Sequence, residues 1–236
     1  MTERERMKYI DLFAGSGGLS LGLYNAGLHG IFAVEKNKDA FSTLKYNLIE
    51  RRNHFSWPNW LEMKNWDINQ LLEIHSKELA TLNGSVDLVV GGPPCQGFSM
   101  AGKRKNDDIR NQLMHSYIEF IKLVKPTMLF FENVQGFTVE FKDHKDKKKY
   151  SDILVSELHE LGYNLEYKIV TMSEYGVPQN RKRFILFASK NGAYEIFFDE
   201  LLKNKECFLK DRGLKIPITI SQAINDLKKS HGEVDS

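Results

Sequence analysis

The chain has 236 residues and a mass of 27.3 kDa, which is enough for one sizeable α/β domain or at most two small ones. Lysine and arginine total 33 and aspartate and glutamate total 31, so the net charge of +2 disfavours a highly basic coat protein and an acidic disordered tail. No apolar run reaches membrane length and the N-terminus is charged, so neither a membrane span nor a signal peptide is expected. Two cysteines, Cys95 and Cys207, argue against a disulfide framework and for a reducing cytoplasm.

Strand and helix patterns alternate along the chain. Short apolar runs predict strands at 9–13, 31–34, 86–90, 128–131, 165–170 and 184–188. Helical spacing of apolar residues predicts helices over about 19–26, 37–48, 71–79, 113–124 and 153–161. The alternation implies an α/β fold with a mainly parallel sheet and helices on both faces. Ligands bind such sheets beyond the carboxyl ends of the strands, so the loops after Phe13, Val34, Val90 and Phe131 are the first candidates.

The first of these loops, DLFAGSGG, is rich in glycine. Its glycines, which would let the backbone approach a ligand at a helix N-terminus, are Gly15, Gly17 and Gly18. The dinucleotide-binding pattern would also place glycine at position 20, where this chain has Ser20. Glu35 ends the second predicted strand and is suited to accept both hydroxyls of a ribose. The alternative is a tight turn followed by a surface acid.

Asp67 is predicted to lie at the end of a further strand, after a tryptophan-rich stretch. A carboxylate there is suited to accept a hydrogen bond from an adenine amino group. Taken alone, Asp67 is more typical of a residue that caps a helix.

The loop GGPPCQGFSMAGKR carries a candidate nucleophile. Two prolines stiffen the backbone before Cys95, and a thiol at the carboxyl end of a strand suits nucleophilic attack if nearby positive charge raises its thiolate fraction. The alternative, a small core side chain, is preferred for Cys207. The polar segment 96–110 is suited to close over a substrate and contact phosphates, or is simply a solvated loop.

Two further clusters complete the candidate site. Glu132 follows four apolar residues, and burial would favour its protonated form, which can donate to a ring nitrogen. The alternative is an acid paired with an arginine.

The second cluster contains arginines. Gln179, Arg181 and Arg183 alternate before a strand, which places both arginines on one side for carbonyl or phosphate recognition, unless they are only the charged start of that strand. The histidines and cysteines lack metal-ligand spacing, so no metal site is expected.

Together these segments resemble the DNA (cytosine-5)-methyltransferase family of bacterial restriction-modification systems. In chain order they are DLFAGSGG, Glu35, Asp67-Ile68, GGPPCQGFS, RNQL at 110–113, FFENV and QNRKR, with SQAINDL at 221–227 also similar. The resemblance implies a Rossmann-like fold that uses S-adenosylmethionine. It also implies a cofactor-binding and catalytic domain at 1–190, followed by an extension at 191–236 toward a missing target-recognition region.

The resemblance assigns roles in cofactor binding. Phe13 would pack on the cofactor, and the turn of Gly15, Gly17 and Gly18 would hold its methionine part. Glu35 would bind the ribose and Asp67 and Ile68 the adenine. Pro93 and Leu113 would line the rest of the site. Lys36 departs from the family, because some members have an aromatic residue there that stacks on adenine.

It also implies a mechanism. The Cys95 thiolate would add to carbon 6 of a cytosine flipped out of duplex DNA, while Glu132 stabilises ring nitrogen 3. Arg183 would contact the cytosine carbonyl, and Arg181 would help to place Cys95, Glu132 and the base. The segment 96–110 would clamp the DNA. Its predicted DNA-contacting residues are Gln96, Ser99, Lys103 and Arg104.

Family members usually continue into a target-recognition region and two closing motifs, neither of which is found. The chain is therefore expected to be part of a split enzyme or a truncated product rather than a degenerate relative, because every catalytic position is intact. The expected partners are duplex DNA, a second polypeptide that recognises the target and a cognate restriction endonuclease. Two alternatives stay open: a cofactor-binding subunit without activity and an RNA cytosine methyltransferase. A nicotinamide dehydrogenase fails to explain Cys95, Glu132 and the paired arginines.

Overall fold

The fold is built on a single six-stranded sheet. The computed structural model of the chain describes residues 6–94, 109–139, 149–214 and 216–225. The strands, in chain order, are β1 (Lys8–Leu12), β2 (His29–Val34), β3 (Leu88–Gly91), β4 (Met128–Val134), β5 (Asn164–Thr171) and β6 (Lys182–Ser189). Their order across the sheet is β2-β1-β3-β4-β6-β5. The pairs from β2 to β4 are parallel, whereas β6 pairs antiparallel with both β4 and β5.

Helices cover both faces of this sheet. In chain order they are α1 (Gly18–Asn25), α2 (Lys38–Leu44), α3 (Ile68–Thr81), α4 (Ile109–Val124), α5 (Tyr150–Glu160), α6 (Tyr194–Lys203), α7 (Lys205–Asp211) and α8 (Ile220–Ala223). One apolar core lies between the sheet and α3, α4 and α5, and a second lies between the opposite face and α1, α2 and α6. The predicted α/β class, with a mainly parallel sheet between helices, is confirmed. No helix in the described ranges is long and apolar enough to cross a membrane.

The alternation of side chains along β1 explains how one strand serves both cores. Ile10 and Leu12 point to the core under α3 and α4, whereas Tyr9 belongs to the core on the other face. All four residues of β3 are buried, as expected for a central parallel strand. This packing fixes the carboxyl ends of β1 to β4 at one edge of the sheet. Because β6 runs the opposite way, its first residues reach the same edge, where Arg183 is opposite Val134.

The prediction of a strand ending at Asp67 is wrong. The chain between α2 and α3 has only an isolated bridge between Gly30 and Phe55, and Asp67 instead caps α3, accepting a hydrogen bond from the Asn69 amide at 2.8 Å. The physical reason is local. Two indoles, those of Trp57 and Trp66, donate to backbone carbonyls four residues away, so this stretch is held by side-chain contacts rather than by a sheet.

The predicted helix bounds also differ in detail from the observed ones; for example, the helices predicted over 113–124 and 153–161 span Ile109–Val124 and Tyr150–Glu160. The helix predicted over 37–48 begins at Lys38 and widens into a looser turn from Lys45 to Glu50. The helix predicted over 71–79 begins earlier, at Ile68, because the Asp67 side chain caps it.

Candidate functional site

A cleft of about 610 Å³ opens where the carboxyl ends of β1, β2 and β3 meet. Its lining residues come from five segments and include Phe13, Glu35, Lys36, Asn37, Trp66, Asp67, Ile68, Gly92, Pro94 and Leu113. The cleft therefore lies where ligands bind in parallel α/β sheets. A wider groove of about 820 Å³ runs along α6 and α7 and carries none of the predicted site residues.

The glycine turn after β1 is tied to Glu35. The Gly15 amide donates to Glu35 Oε2 at 2.8 Å, and the Asn37 amide donates to Glu35 Oε1 at 2.7 Å. One carboxylate thus joins the first loop to the segment that leads into α2. Both oxygens are oriented by fixed backbone donors, and each keeps a lone pair for a further donor.

Left-handed backbone bends the same turn. Phe13, Gly15 and Gly17 have φ values of 58°, 56° and 87°. Glycine adopts this conformation without strain, and a Cβ at Gly17 would lie only 2.8 Å from Leu48 Cδ1. The turn then leads directly into α1, which begins at Gly18. The sequence thus places backbone amides, rather than side chains, at the N-terminus of α1.

Lys36 and Asp67 form an ion pair at the cleft, with Lys36 Nζ 2.8 Å from Asp67 Oδ2. Burial alone would raise the pKa of Asp67, but hydrogen bonds from Lys36 and from the Asn69 amide outweigh it, so the pKa lies below its ordinary value. Asp67 is therefore ionised at neutral pH and can accept a hydrogen bond from a ligand. Asp67 thus caps α3, as one sequence interpretation predicts, and also lines the cleft.

The chain leaves β3 through a narrow passage between β1 and β4. A Cβ at Gly91 would overlap the Leu12 carbonyl oxygen, and a Cβ at Gly92 would overlap the Glu132 carbonyl oxygen. The buried Asn133 side chain then donates from Nδ2 to the Pro93 carbonyl oxygen at 3.1 Å. The start of the PPC segment is thereby held against β4, with Pro93 buried and its neighbours Gly92 and Pro94 lining the cleft.

Glu132 meets the arginines across the β4–β6 pair. Arg183 Nε lies 2.5 Å from Glu132 Oε1, and the Arg183 side chain is largely buried. Burial raises the pKa of the Glu132 carboxyl above its ordinary value, and the positive charge of Arg181 opposes that rise. The arginines predicted to share one side of an extended chain therefore both act on one carboxyl. The structure thus combines the two sequence interpretations, a partly buried acid and an acid paired with an arginine.

Most of the predicted site residues in the described ranges fall into two groups that touch at Gly92. Pro93, predicted to line the cofactor site, instead is buried against β4 and is not among the residues that line the cleft. Phe13, Glu35, Asp67, Ile68 and Leu113 line the cleft, and Glu132, Arg181 and Arg183 form the second group. Gly92 lines the cleft and also abuts the backbone of Glu132. The predicted nucleophile and DNA-contacting residues lie outside the described residues; they are Cys95, Gln96, Ser99, Lys103 and Arg104.

Sequence reasoning missed three supporting residues. Asn133 was visible only as the residue after Glu132 in FFENV, and Trp66 only as part of a tryptophan-rich stretch. Ser20 was noted only as a departure from glycine, but its hydroxyl donates to the buried Asp11 carboxyl beneath the glycine turn. Burial raises the pKa of Asp11 to about 7, with the Ser20 hydrogen bond acting in the opposite direction.

A metal centre was not expected from the sequence. Among residues 6–94, 109–139, 149–214 and 216–225, no three His, Cys, Asp or Glu side chains are grouped as ligands for an ion.

Comparison with known proteins gives a consistent picture. The model of the C-5 cytosine-specific DNA methylase family matches residues 7–235. Type II methyltransferase M.XorII of Xanthomonas oryzae pv. oryzae is 34% identical over 189 residues, which cover 78% of this chain and 40% of that protein. Type II methyltransferase M.BspRI of Lysinibacillus sphaericus is 30% identical over 239 residues, which cover 97% of this chain and 54% of that protein.

A solved structure agrees with these relatives. A crystal structure described as that of a DNA modification methyltransferase encoded within a prophage (E. coli) matches with a TM-score of 0.63 and 27% identity, over 92% of this chain and 54% of that chain. The chain thus spans about half the length of the curated relatives it matches.

Proposed function

The chain belongs to the C-5 cytosine-specific DNA methylase family, and from that membership we propose that it transfers a methyl group from S-adenosylmethionine to carbon 5 of cytosine in duplex DNA. The family resemblance predicted from the motifs is confirmed. The observation that carries the proposal for this chain is the position of Glu132. It lies with Arg181 and Arg183 directly beside the residue, Gly92, that lines the Glu35–Asp67 cleft.

The residues of the cleft fit this cofactor. Its volume of about 610 Å³ lies in the ordinary range of ligand pockets. Glu35, held by two backbone amides, has lone pairs for the ribose hydroxyls, and the ionised Asp67 has one for the adenine amino group. Phe13, Ile68 and Leu113 supply apolar surface. When bound, the cofactor supplies an electrophilic methyl group on a sulfonium.

The pyrimidine must be activated before it can accept that methyl group. The Cys95 thiolate adds to carbon 6, so that a carbon–sulfur bond forms and the electron pair of the 5,6 double bond moves toward carbon 5. Carbon 5 then bonds to the methyl group that a cofactor held in the Glu35–Asp67 cleft would supply, and the sulfur–methyl bond would break with the electron pair left on sulfur. Loss of the carbon 5 proton to a base, which we take to be water, restores the double bond as the Cys95 sulfur leaves carbon 6. Because none of these atoms is reachable in a stacked duplex, the cytosine is flipped out.

Glu132 and the arginines stabilise the activated ring. Glu132, whose pKa is raised by burial, is suited to supply a proton or a hydrogen bond at ring nitrogen 3, where negative charge develops during addition. Arg183, in contact with Glu132, contacts the cytosine carbonyl, and Arg181 helps to orient both groups. The acid and the two cations thus face the same edge of the base.

The segment after Cys95 contacts the DNA. Its polar residues Gln96, Ser99, Lys103 and Arg104 are suited to phosphate oxygens, which would hold the duplex while the base is extruded. Target recognition comes from a second polypeptide or a further part of the protein. The reaction takes place in the cytoplasm, where it protects DNA from a cognate restriction endonuclease.

Methyl transfer and covalent trapping test this proposal. With the complementary part of the enzyme supplied, we expect tritium transfer to duplex DNA and a stable adduct with DNA that contains 5-fluorocytosine. Cys95→Ser should abolish the adduct and keep cofactor binding, whereas the control Cys207→Ser should keep both. Absence of both methyl transfer and a Cys95 adduct would refute the proposal.

A second candidate is a cofactor-binding subunit without activity of its own, a role for which the Glu35–Asp67 cleft alone suffices. Calorimetry with S-adenosylmethionine separates the two. Binding without turnover, even when candidate partner polypeptides are added, would favour the subunit.

A further inference from the structure

The loop between β5 and β6, residues 172–181, carries Arg181 and leads to Arg183. We call it the arginine loop. Its two ends are joined by a hydrogen bond from the Met172 amide to the Arg181 carbonyl oxygen at 2.8 Å, and the Gln179 carbonyl oxygen accepts from the Arg181 amide at 2.9 Å. The loop is therefore closed at its base by Arg181, which lies two residues before Arg183 in β6.

The tip of the arginine loop rests on the segment 205–214. Gly176 has a φ of 85°, and a Cβ placed there would lie 2.7 Å from Leu214 Cδ1 and 3.2 Å from Leu209 Cδ2. Leu209 is buried, and the Leu214 amide donates to its carbonyl oxygen at 2.8 Å. The segment is therefore locally ordered where it meets the loop. The absence of a side chain at position 176 allows this close approach.

An ion pair fixes the same contact from the side. Lys205 Nζ lies 3.0 Å from Glu174 Oε2, and the Lys205 ammonium is 5.3 Å from the centre of the Tyr175 ring. The Lys205 side chain is only 18% exposed. The Glu174 side chain is 56% exposed, so the partly buried Lys205 ammonium has an exposed carboxylate and an aromatic ring as its partners.

Beside these contacts, the arginine loop and α7 are not packed directly against each other. An apolar cavity of about 380 Å³ separates the loop from α7, with Met172 and Tyr175 on one side and Phe208 on the other. Packing across this gap is incomplete, so it does little to fix the distance between the loop and α7. The Lys205–Glu174 pair and the contact at Gly176 therefore determine where the loop lies.

We propose that the segment 205–214 positions the arginine loop, and that Lys205 and Gly176 are positioning residues for the arginines that act on Glu132. The contacts cross the domain boundary predicted at residue 190. The extension would thus serve the catalytic groups as well as lead toward target recognition. The inference rests on the proposed function only where Glu132 acts on cytosine; the placement of the loop stands apart from it.

Charge reversal tests the inference. Lys205→Glu places two carboxylates together and should move the loop tip away from α7, whereas Glu174→Lys combined with Lys205→Glu restores the pair in reverse. The control is Lys203→Glu on α6, which makes the same change of charge at a residue that pairs with Glu200 at 3.0 Å and not with the loop. Should Lys205→Glu fail to fold, Glu174→Gln removes the pair more gently.

The first measurement is the titration of the Glu132 carboxyl by carbon-13 NMR, assigned with Glu132→Gln. Lys205→Glu should raise the pKa of Glu132, because the arginines withdraw from it, and the double variant should return it to the starting value. Glu174→Gln should raise it to a smaller extent, and Lys203→Glu should leave it unchanged. Equal shifts in Lys205→Glu and Lys203→Glu, or a double variant that does not recover, would overturn the inference.

The second measurement is the rate of adduct formation with DNA that contains 5-fluorocytosine. We expect Lys205→Glu to slow it by about tenfold with unchanged affinity for S-adenosylmethionine, and the double variant to recover. An unchanged rate in Lys205→Glu would contradict a positioning role. If the unaltered protein, supplied with its complementary part, forms no adduct, the proposed function fails, and the NMR titration still decides whether Lys205 places the arginines.

Discussion

Glu35 is the residue on which the cofactor cleft depends most directly. Its two carboxylate oxygens accept from two different backbone segments, the glycine turn and the start of α2. An acceptor-only group is needed for this, because both backbone partners are donors. The same ionised group is then suited to ribose hydroxyls, so loop geometry and ligand recognition share one side chain.

Glu35→Gln tests this dual role. The amide group would direct its NH₂ toward one of the two backbone donors, so one hydrogen bond is lost and the charge is removed. We expect the affinity for S-adenosylmethionine to fall by about ten- to a hundredfold, as for the loss of a charged hydrogen bond. Isothermal titration calorimetry measures it. The control is Glu119→Gln, an exposed acid on α4 that pairs with Lys122. Equal affinities in the two variants would contradict the assignment of Glu35.

At the scale of elements, the path out of β3 connects the two halves of the site. Gly91 and Gly92 pass between β1 and β4 so closely that neither position has room for a side chain. The Asn133 hydrogen bond then holds Pro93 beside β4. The sheet itself thus delivers the segment that precedes Cys95 to the neighbourhood of Glu132.

Gly92→Ala tests whether this close passage is needed. The new methyl group would overlap a backbone oxygen of β4, which cannot move without separating the strands. We expect the free energy of unfolding to fall by about 3 kcal/mol or more, as in severe overpacking. Urea denaturation measures it.

Gly22→Ala is the matched control for that substitution. Gly22 lies inside α1 with open space around its Cα, so alanine should raise the stability by about 0.5–1 kcal/mol through helix propensity. A Gly92→Ala protein as stable as the unaltered one would show that the passage can widen freely.

The elements of this fold were largely predictable, because apolar runs and helical spacing are local signals. The run 128–131, for example, identified β4. The strand continues to Val134, but the polar residues Glu132 and Asn133 end the apolar run before the strand ends. The order β4-β6-β5 was not predictable, because strand pairing depends on contacts far apart in sequence. The strand predicted to end at Asp67 is wrong because no local pattern shows that the indoles of Trp57 and Trp66 donate to the carbonyl oxygens of Leu61 and Glu62.

The site divides in the same way. Glu35 and Glu132 could be proposed from the sequence because an acid at the carboxyl end of an apolar run is a local signal. The Lys36–Asp67 pair and the Asn133–Pro93 hydrogen bond were not predicted, because they join residues about 30 and 40 positions apart. Such contacts exist only once the sheet has assembled. Local patterns thus predict the groups that we propose to react, whereas assembly of the sheet determines which residues contact them.

At the scale of the whole molecule, the buried side chains of Asp11 and His54 have opposite effects on the free energy of unfolding as pH changes. Burial raises the pKa of Asp11 to about 7, and burial lowers the pKa of His54 to about 4, with His29 contributing. The folded state therefore holds a proton on Asp11 that the unfolded chain has released above about pH 4. Conversely, the unfolded chain protonates His54 below about pH 6.5 while the folded state keeps it neutral.

The signs of the two effects on stability follow from this. From pH 4 to 7 the Asp11 contribution makes the protein less stable as pH rises, since the native state binds the extra proton. From pH 4 to 6.5 the His54 contribution makes it more stable as pH rises, since there the unfolded state binds the extra proton. The two slopes offset each other over most of this window.

Single substitutions should separate these opposing slopes. One pKa unit corresponds to about 1.4 kcal/mol. From pH 5 to pH 7, the free energy of unfolding of Asp11→Asn should therefore rise by up to about 2 kcal/mol relative to that of the unaltered protein. Over the same interval, the free energy of unfolding of His54→Gln should fall by up to about 2 kcal/mol relative to that of the unaltered protein, because the opposing contribution of His54 is removed and that of Asp11 remains. Urea denaturation at pH 5 and pH 7 measures both, and comparing each variant with the unaltered protein at the same pH cancels the other titrating groups. Differences that stay constant between the two pH values would mean that Asp11 and His54 titrate alike in the folded and unfolded states.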